Sequence, residues 1–441
     1  MPYVATSPDD LCFTKELHRT SWFNKDLWLN DPRIYKPTCN DVLPPQEDSL
    51  RRSKLLSLNA AFAWHIREIL VKREPAFAHY QQHLGLPAAI EVLPTRKTVQ
   101  YPANAINADE SQNDGNWEVL TNLLDQVCAT HLNVLYLITE GTLQSNIQDN
   151  SLEEFVTLVH GDLSTKERID ALRKMCTIEH STKNWLGWVV FVPGMFHFKM
   201  ACTDAFWRIH INPKMGWSDP TSFFEYIRHL RPREMGKFGS GPGFRRMHDA
   251  IHHTVWANIL DCWRIATHEQ GFSSVADFAK SEPGWDVICH ISDSMVTRYL
   301  PGHDFQDIQD GPVSERDLRF ENQKLLKQHS LLYLVFSRAI NFGDVGRILQ
   351  LFPYWIAIFT ATGKHKYAIH MIQFKTDLDH VYPPRLRYYY LTFLTQILTN
   401  QLDRNAILQN WLCNPTGKVD GWRGYDWLQE RNNLYTKVSY W

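Results

Sequence analysis

FVTLVHGD (Phe155–Asp162) decides how the rest of the chain is read. Its β-branched and apolar residues form a strand that Gly161-Asp162 stops. STKERIDALRKMC (Ser164–Cys176) follows as a helix, with Ser164 or Thr165 as the cap and Glu167 placed for a capping box. WLGWVVFVPGMFHFKM (Trp185–Met200) repeats the pattern: a buried strand through Trp188–Val192, a break at Pro193-Gly194, then a helix through Trp207. Strand, helix, strand, helix points to an α/β core.

Upstream, Leu50–His83 is helical and broken at Pro75, with Leu55, Leu58, Phe62, Ile66 and Ile69 at helical spacing. Ile90–Ile106 is extended, because its prolines deny it a long helix, and Trp117–Val127 is an amphipathic helix. Downstream of Ile211 the signal is helical to about Asn400. The segments are Ser222–Leu230, Gly243–His268, Val275–Ala279, Glu315–Asn341, Asp344–Thr362, Tyr367–Leu378 and Leu386–Thr399. A Gly/Asn-rich loop, Asn414–Gly424, precedes a last helix, Tyr425–Val438. The expected fold class is α/β or α+β and predominantly helical. Residues 1–50 are an extended N-terminal arm and 51–211 the α/β core. Residues 212–413 are a helical insertion, and 414–441 a loop and terminal helix returning to the core.

The 441 residues are 44% hydrophobic, and 46 Lys+Arg stand against 48 Asp+Glu, which argues against a polybasic mode of partner binding. The start, MPYVATSPDDLC, lacks the pattern of a secretory signal, and no apolar run approaches the ~18 residues a membrane span needs. Eight scattered cysteines without a CxxC pair fit a reducing compartment, so the expectation is an intracellular protein of nucleus or cytoplasm. No small-molecule cofactor motif is evident. The glycine run Gly236–Gly243 neither follows a strand nor ends in Lys-Ser/Thr, so it is not a phosphate loop.

Asp162 ends a buried strand, where a carboxylate can project into a cleft and hold Mg²⁺, or else serve as a turn residue or helix cap. His197 follows the second strand and is placed to ligate a metal or shuttle a proton, or to sit in the core. Asp204 lies about two helical turns further on. Glu430, on the last helix, faces either cleft or solvent. His248 and His252 share one helical face, as in zinc-peptidase helices, but without an obvious third ligand. Lys364, His365 and Lys366 at a helix start, and Arg245 and Arg246, are candidates for phosphate contacts or are solvated surface charge.

Several motifs taken together resemble the fungal domain-of-unknown-function family DUF6589. They are Val159–Arg168, Pro193–Met200, Gly239-Ser240 through Phe244–His248, Ala361–Ala368, Glu430–Lys437 and, in the arm, Asn30–Pro37, and they cover most of the chain in order. The resemblance implies a transposon-derived, ribonuclease-H-like domain with a small sheet core and a large helical insertion. Such domains hold Mg²⁺ or Mn²⁺ on acidic residues and cut phosphodiester bonds. On that analogy Asp162 is the first metal ligand and Glu430 the last. Distant relatives carry Asp where this chain has Met195, so His197 or Asp204 substitutes, or the copy is inactive and truncated at Trp441. The expected partner is DNA and the expected function nuclease- or transposase-like. The alternative is a non-catalytic nucleic-acid- or protein-binding module of mobile-element origin, and the sequence leaves open whether the protein is an enzyme.

Overall fold

The strand read from Phe155 runs to Gly161 as β1 and leads directly into helix α1 (Leu163–Met175). The structure is a computed structural model. It describes residues 57–98, 100, 104, 106–109, 112–138, 155–179, 184, 186, 189–302, 305–378, 389–390 and 404–431. The arm over 1–50, most of the helix expected over Leu386–Thr399 and the terminal helix beyond residue 431 lie outside the described residues.

The cap of α1 is Asp162, in line with the cap reading of that residue, and not Ser164 or Thr165. Its backbone is extended (φ −82°, ψ −178°) and its Oδ1 accepts the Thr165 N–H at 2.8 Å. A residue leaving a strand already has the extended backbone that a cap requires, whereas Ser164 lies inside the first turn. The second strand, β2 (Val189–Pro193), pairs parallel with β1, Thr157 opposite Val189 and Gly161 opposite Pro193. Parallel neighbours need a crossover, which α1 supplies. A two-residue strand, β3 (Tyr389–Tyr390), adds in parallel to the other edge of β1, giving the order β2-β1-β3. These two residues fall in a span expected to be helical.

The sheet is covered on both faces. Along β2, Val190 and Val192 enter the main hydrophobic core, while Val189 and Phe191 point the other way, onto Ile169 and Leu172 of α1. This is the period-two alternation of a strand buried on both sides. The second face also receives Leu120 from the helix Asn113–Ile138, which extends the Trp117–Val127 segment at both ends.

Helix α2 (Met195–His210) leaves β2 and enters a helical body built from α3 (Phe223–Leu230), α4 (Gly243–Glu269), α5 (Trp285–Tyr299), α6 (Leu318–Phe342), α7 (Val345–Ala361) and α8 (His365–Thr376). Upstream, the helix Leu58–Arg73 gives way at Pro75 to a 3-10 turn, as the proline dictates. Helix α5 has no counterpart in the sequence reading, although Ile288, Ile291, Met295 and Val296 bury at helical spacing. One hydrophobic cluster runs from Leu58 to Trp422 and includes residues of every helix from α2 to α8. Phe198 of α2 sits inside it, with its ring 5.0 Å from Phe336, 5.5 Å from Phe352 and 5.4 Å from Phe359. The chain is therefore predominantly helical around few, small strands. No helix among the described residues is long and apolar enough to cross a membrane.

Near the end of the described chain a short antiparallel pair, β4 (Leu412–Cys413) and β5 (Arg423–Gly424), brings the last segment back to the sheet. The Trp411 indole N–H donates to the Pro193 carbonyl at 3.1 Å, and residues 425–431 are helical.

Truncating Phe198 to Ala is expected to lower unfolding stability by about 3–5 kcal/mol, measured as a shift in urea midpoint. Ile178→Ser, at a side chain 82% exposed, is expected to change it by about 0.5 kcal/mol or less. Equal effects at the two positions would contradict the packing described.

Candidate active site

Helix α2 starts at Met195 after Gly194, which has no side chain to cap the first turn. The cap comes from far along the chain. Asp426, buried just after β5, accepts the Phe196 N–H at Oδ1 (3.0 Å) and the His197 N–H at Oδ2 (2.8 Å). A carboxylate over the free N–H groups and positive dipole end of a helix is favourably placed. Two glycines make the approach feasible. A Cβ on Gly194 would lie 2.4 Å from Asp426 Cγ, and one on Gly424 would lie 2.8 Å from the Phe196 nitrogen.

The same carboxylate orients an imidazole. His197 Nδ1 lies 3.0 Å from Asp426 Oδ2, and a carboxylate can only accept, so Nδ1 carries the proton. The other ring nitrogen, Nε2, points to Glu430, 3.6 Å from its Oε1. The hydrogen bond to Asp426 raises the His197 pKa above its usual 6.5 against the opposing effect of burial, and the charges of Asp426, Asp162 and Glu430 add to the rise. Asp426 and Glu430 thus flank the imidazole, and Asp162 is near enough for its charge to act on it, at the carboxyl ends of β1 and β2, where open α/β sheets place ligands. Asp162 commits its Oδ1 to the Thr165 N–H and hydroxyl at 2.8 and 3.0 Å. The structure thus shows Asp162 as a helix cap through Oδ1.

The surroundings of the site are aromatic. His160, at the end of β1, stacks on Tyr425 at 4.4 Å, and burial pushes its pKa down to about 4. Burial and the negative charge of Asp162 push the Tyr367 hydroxyl up to about 12. Phe196 packs edge-on against Phe244, 5.3 Å away, at the start of α4. Both basic segments picked out from sequence therefore come near the site, the first turn of α8 against α1 through Lys366–Glu167 and the first turn of α4 against Phe196 through Phe244.

Most of their charges are paired. Lys364 meets Asp204 at 2.6 Å, Lys366 meets Glu167 at 2.7 Å, Arg245 meets Asp249 at 3.2 Å and Arg246 meets Glu234 at 3.3 Å. His365 is exposed. Asp204 also binds Arg208 at 2.9 Å; burial acts to raise its pKa, but the Lys364 and Arg208 bonds outweigh this and hold it low. It lies about 10 Å along the helix axis from His197, which separates it from the other candidate acids.

The His248–His252 pair is not arranged as a metal centre. His248 Nδ1 bonds the Tyr333 hydroxyl and His252 Nδ1 faces the His248 carbonyl, each at 2.8 Å. Burial and the nearby Lys199 charge push their pKa values down to about 2 and about 4. Among the described residues, no three His, Cys, Asp or Glu side chains are grouped so as to hold a metal ion.

Sequence reading singled out Asp162, His197 and Glu430, which the fold brings together, but not Asp426, which joins them. The available signal was the spacing Asp426–Glu430, which puts both carboxylates on one face of a helix.

An NMR titration of the imidazole is expected to give a His197 midpoint above 6.5, falling in Asp426→Asn. The folded-state pKa is raised, so this pairing stabilises the fold fully below about pH 6.5 and is lost as pH rises through the folded-state value. An unchanged midpoint in the variant would rule out Asp426 as the controlling partner.

A model of a family of unknown function, DUF6589, matches residues 36–440. No curated protein and no solved structure matches the chain. With the match running over most of the sequence, the chain belongs to the DUF6589 family.

Proposed function

We propose that this chain is a nuclease- or transposase-like domain of fungal mobile-element origin and ribonuclease-H-like type. It acts inside the cell, in nucleus or cytoplasm, on DNA phosphodiester bonds with Mg²⁺ or Mn²⁺. The observation that carries the reading is the convergence of strand-end Asp162 and helical Glu430 on His197, from segments more than 200 residues apart in sequence.

The residues suit a cation site completed by substrate. Both oxygens of Asp426 are committed to the first turn of α2, which leaves Asp162 Oδ2 and the Glu430 carboxylate as hard oxygen donors. Mg²⁺ binds typically through one or two carboxylates, keeping water and substrate phosphate oxygens in its other positions. A bound divalent ion would polarise a phosphoryl oxygen and acidify a coordinated water. His197 supplies the proton chemistry. With Nδ1–H held by Asp426, neutral Nε2 accepts a proton from a nucleophilic water; once charged, it returns that proton to a leaving oxygen.

The competing reading, a non-catalytic binding module, rests on the basic segments, and the carboxylate pairing of Lys364, Lys366, Arg245 and Arg246 weakens it.

Calorimetric titration with Mg²⁺ and Mn²⁺, followed by cleavage assays on structured DNA, tests the proposal. Wild type is expected to bind metal and nick DNA. Asp162→Asn and Glu430→Gln should each weaken metal binding by about tenfold or more. DNA binding that needs no metal, with no cleavage by any form, would favour the binding module.

A further inference from the structure

Beside the acidic cleft lies a cluster of opposite charge. Lys199, on α2 after His197, turns toward α6, its ammonium 5.8 Å from the centre of the Tyr333 ring. Among the described residues it has neither hydrogen bond nor carboxylate partner. Burial, Arg423 and Arg245 together pull its pKa down to about 8. Two other buried cations are matched, Lys166 by Asp170 at 2.5 Å and Arg338 by Glu68 at 3.6 Å, while Lys327 has the Gln323 amide oxygen at 3.1 Å. A buried ammonium without a counter-charge is costly, so an unmatched one marks a place where an anion is favoured.

Arg423, on β5, has its guanidinium 5.9 Å from the centre of the Trp427 ring but also lacks a counter-charge among the described residues. Its Nη1 donates to Asn341 Oδ1 at 3.3 Å and to the Asp420 and Trp422 carbonyls, and among the described residues it has no carboxylate partner. Its Nε and Nη2 remain, two adjacent donors of the kind that grip a phosphate. The Tyr333 hydroxyl and His248, bonded to each other, line the cluster, and Arg245 stands at its edge with Asp249. Phe244 ties cluster to cleft, packing on Phe196 at 5.3 Å and on His248 at 5.7 Å. Arg423 also precedes Asp426 by three residues, so one short segment serves both places.

We infer that Lys199 and Arg423 form a phosphate-binding subsite next to the His197 cleft, which takes a backbone phosphate of a nucleic-acid strand neighbouring the bond over His197. The identification of the ligand as a strand rests on the proposed phosphodiester chemistry; the phosphate site itself does not. Cations linked to the His197 site through Phe244 give a fixed point for one phosphate while a cation and His197 address the next.

The test is titration with inorganic phosphate, and separately with a fluorescently labelled single-stranded oligonucleotide, in chelator so that no divalent metal contributes. Lys199→Met and Arg423→Gln should each weaken both ligands by about tenfold or more, the loss expected for a charged hydrogen bond. Lys199→Arg should retain binding, which separates loss of charge from misfolding. Lys280→Gln, an exposed control, should change it less than twofold. Asp162→Asn should bind phosphate like wild type, so a failed metal site and a failed phosphate site give different patterns. Displacement of phosphate by the oligonucleotide supports the strand; phosphate binding without displacement overturns the strand and assigns the subsite to a free phosphate compound. Wild-type binding that is absent, or equal in Lys199→Met and Arg423→Gln, overturns the subsite altogether.

Discussion

The carboxylate of Asp426 accepts three hydrogen bonds from the first turn of α2: two from backbone amides and one from the His197 ring. Those donors lie 229 and 230 residues away in sequence. The helix supplies no side-chain cap of its own, so its Phe196 and His197 N–H groups are satisfied when the segment around Asp426 has returned to the sheet. Closing so long a loop is entropically costly, and the charge-assisted bonds, the Trp411 indole on Pro193 and the buried Trp422 together offset that cost. Folding and site assembly are thereby one event. The residue that fastens the last segment also sets the tautomer of the imidazole at the centre of the cleft.

The remaining architecture places this contact. A parallel sheet must be covered on both faces, and β2 sends alternate side chains to two hydrophobic clusters. The larger cluster extends through α2 into the helical body, so the helix bearing His197 and Lys199 is anchored by Phe198 among Phe336, Phe352 and Phe359. Polar residues on α2 are consequently held on fixed sides of a rigid element. His197 meets the acids of the cleft and Lys199 the opposite charge cluster, with Phe244 between them.

Local signals in the sequence were sufficient for the strand–helix–strand–helix unit, the break at Pro75 and most of the long helices, because period and proline act over a few residues. They failed where partners are distant or the pattern is short. The β4–β5 pair, two residues on each side, offers no period to read just before and at the end of the Asn414–Gly424 loop. Residue type alone leaves the cap of α1 open among Asp162, Ser164 and Thr165; the extended backbone that a strand end imposes selects Asp162. Helix α5 shows helical spacing at Ile288, Ile291, Met295 and Val296, but acidic and hydroxyl residues between them masked it. Asp426 was the largest omission: in sequence it is one acid at a helix start, and only the tertiary fold shows that it caps a different helix.

A double-mutant cycle on His197 and Asp426 tests this account most directly. Urea unfolding of wild type, His197→Gln, Asp426→Asn and the double variant, at a pH where His197 is charged, yields their coupling energy. The account predicts a coupling of about 1.5–3 kcal/mol, the range of a hydrogen bond to a charged group. A coupling near zero, with each single variant folded, would show that Asp426 and His197 act independently and that the cleft is not assembled by the return of the chain's end.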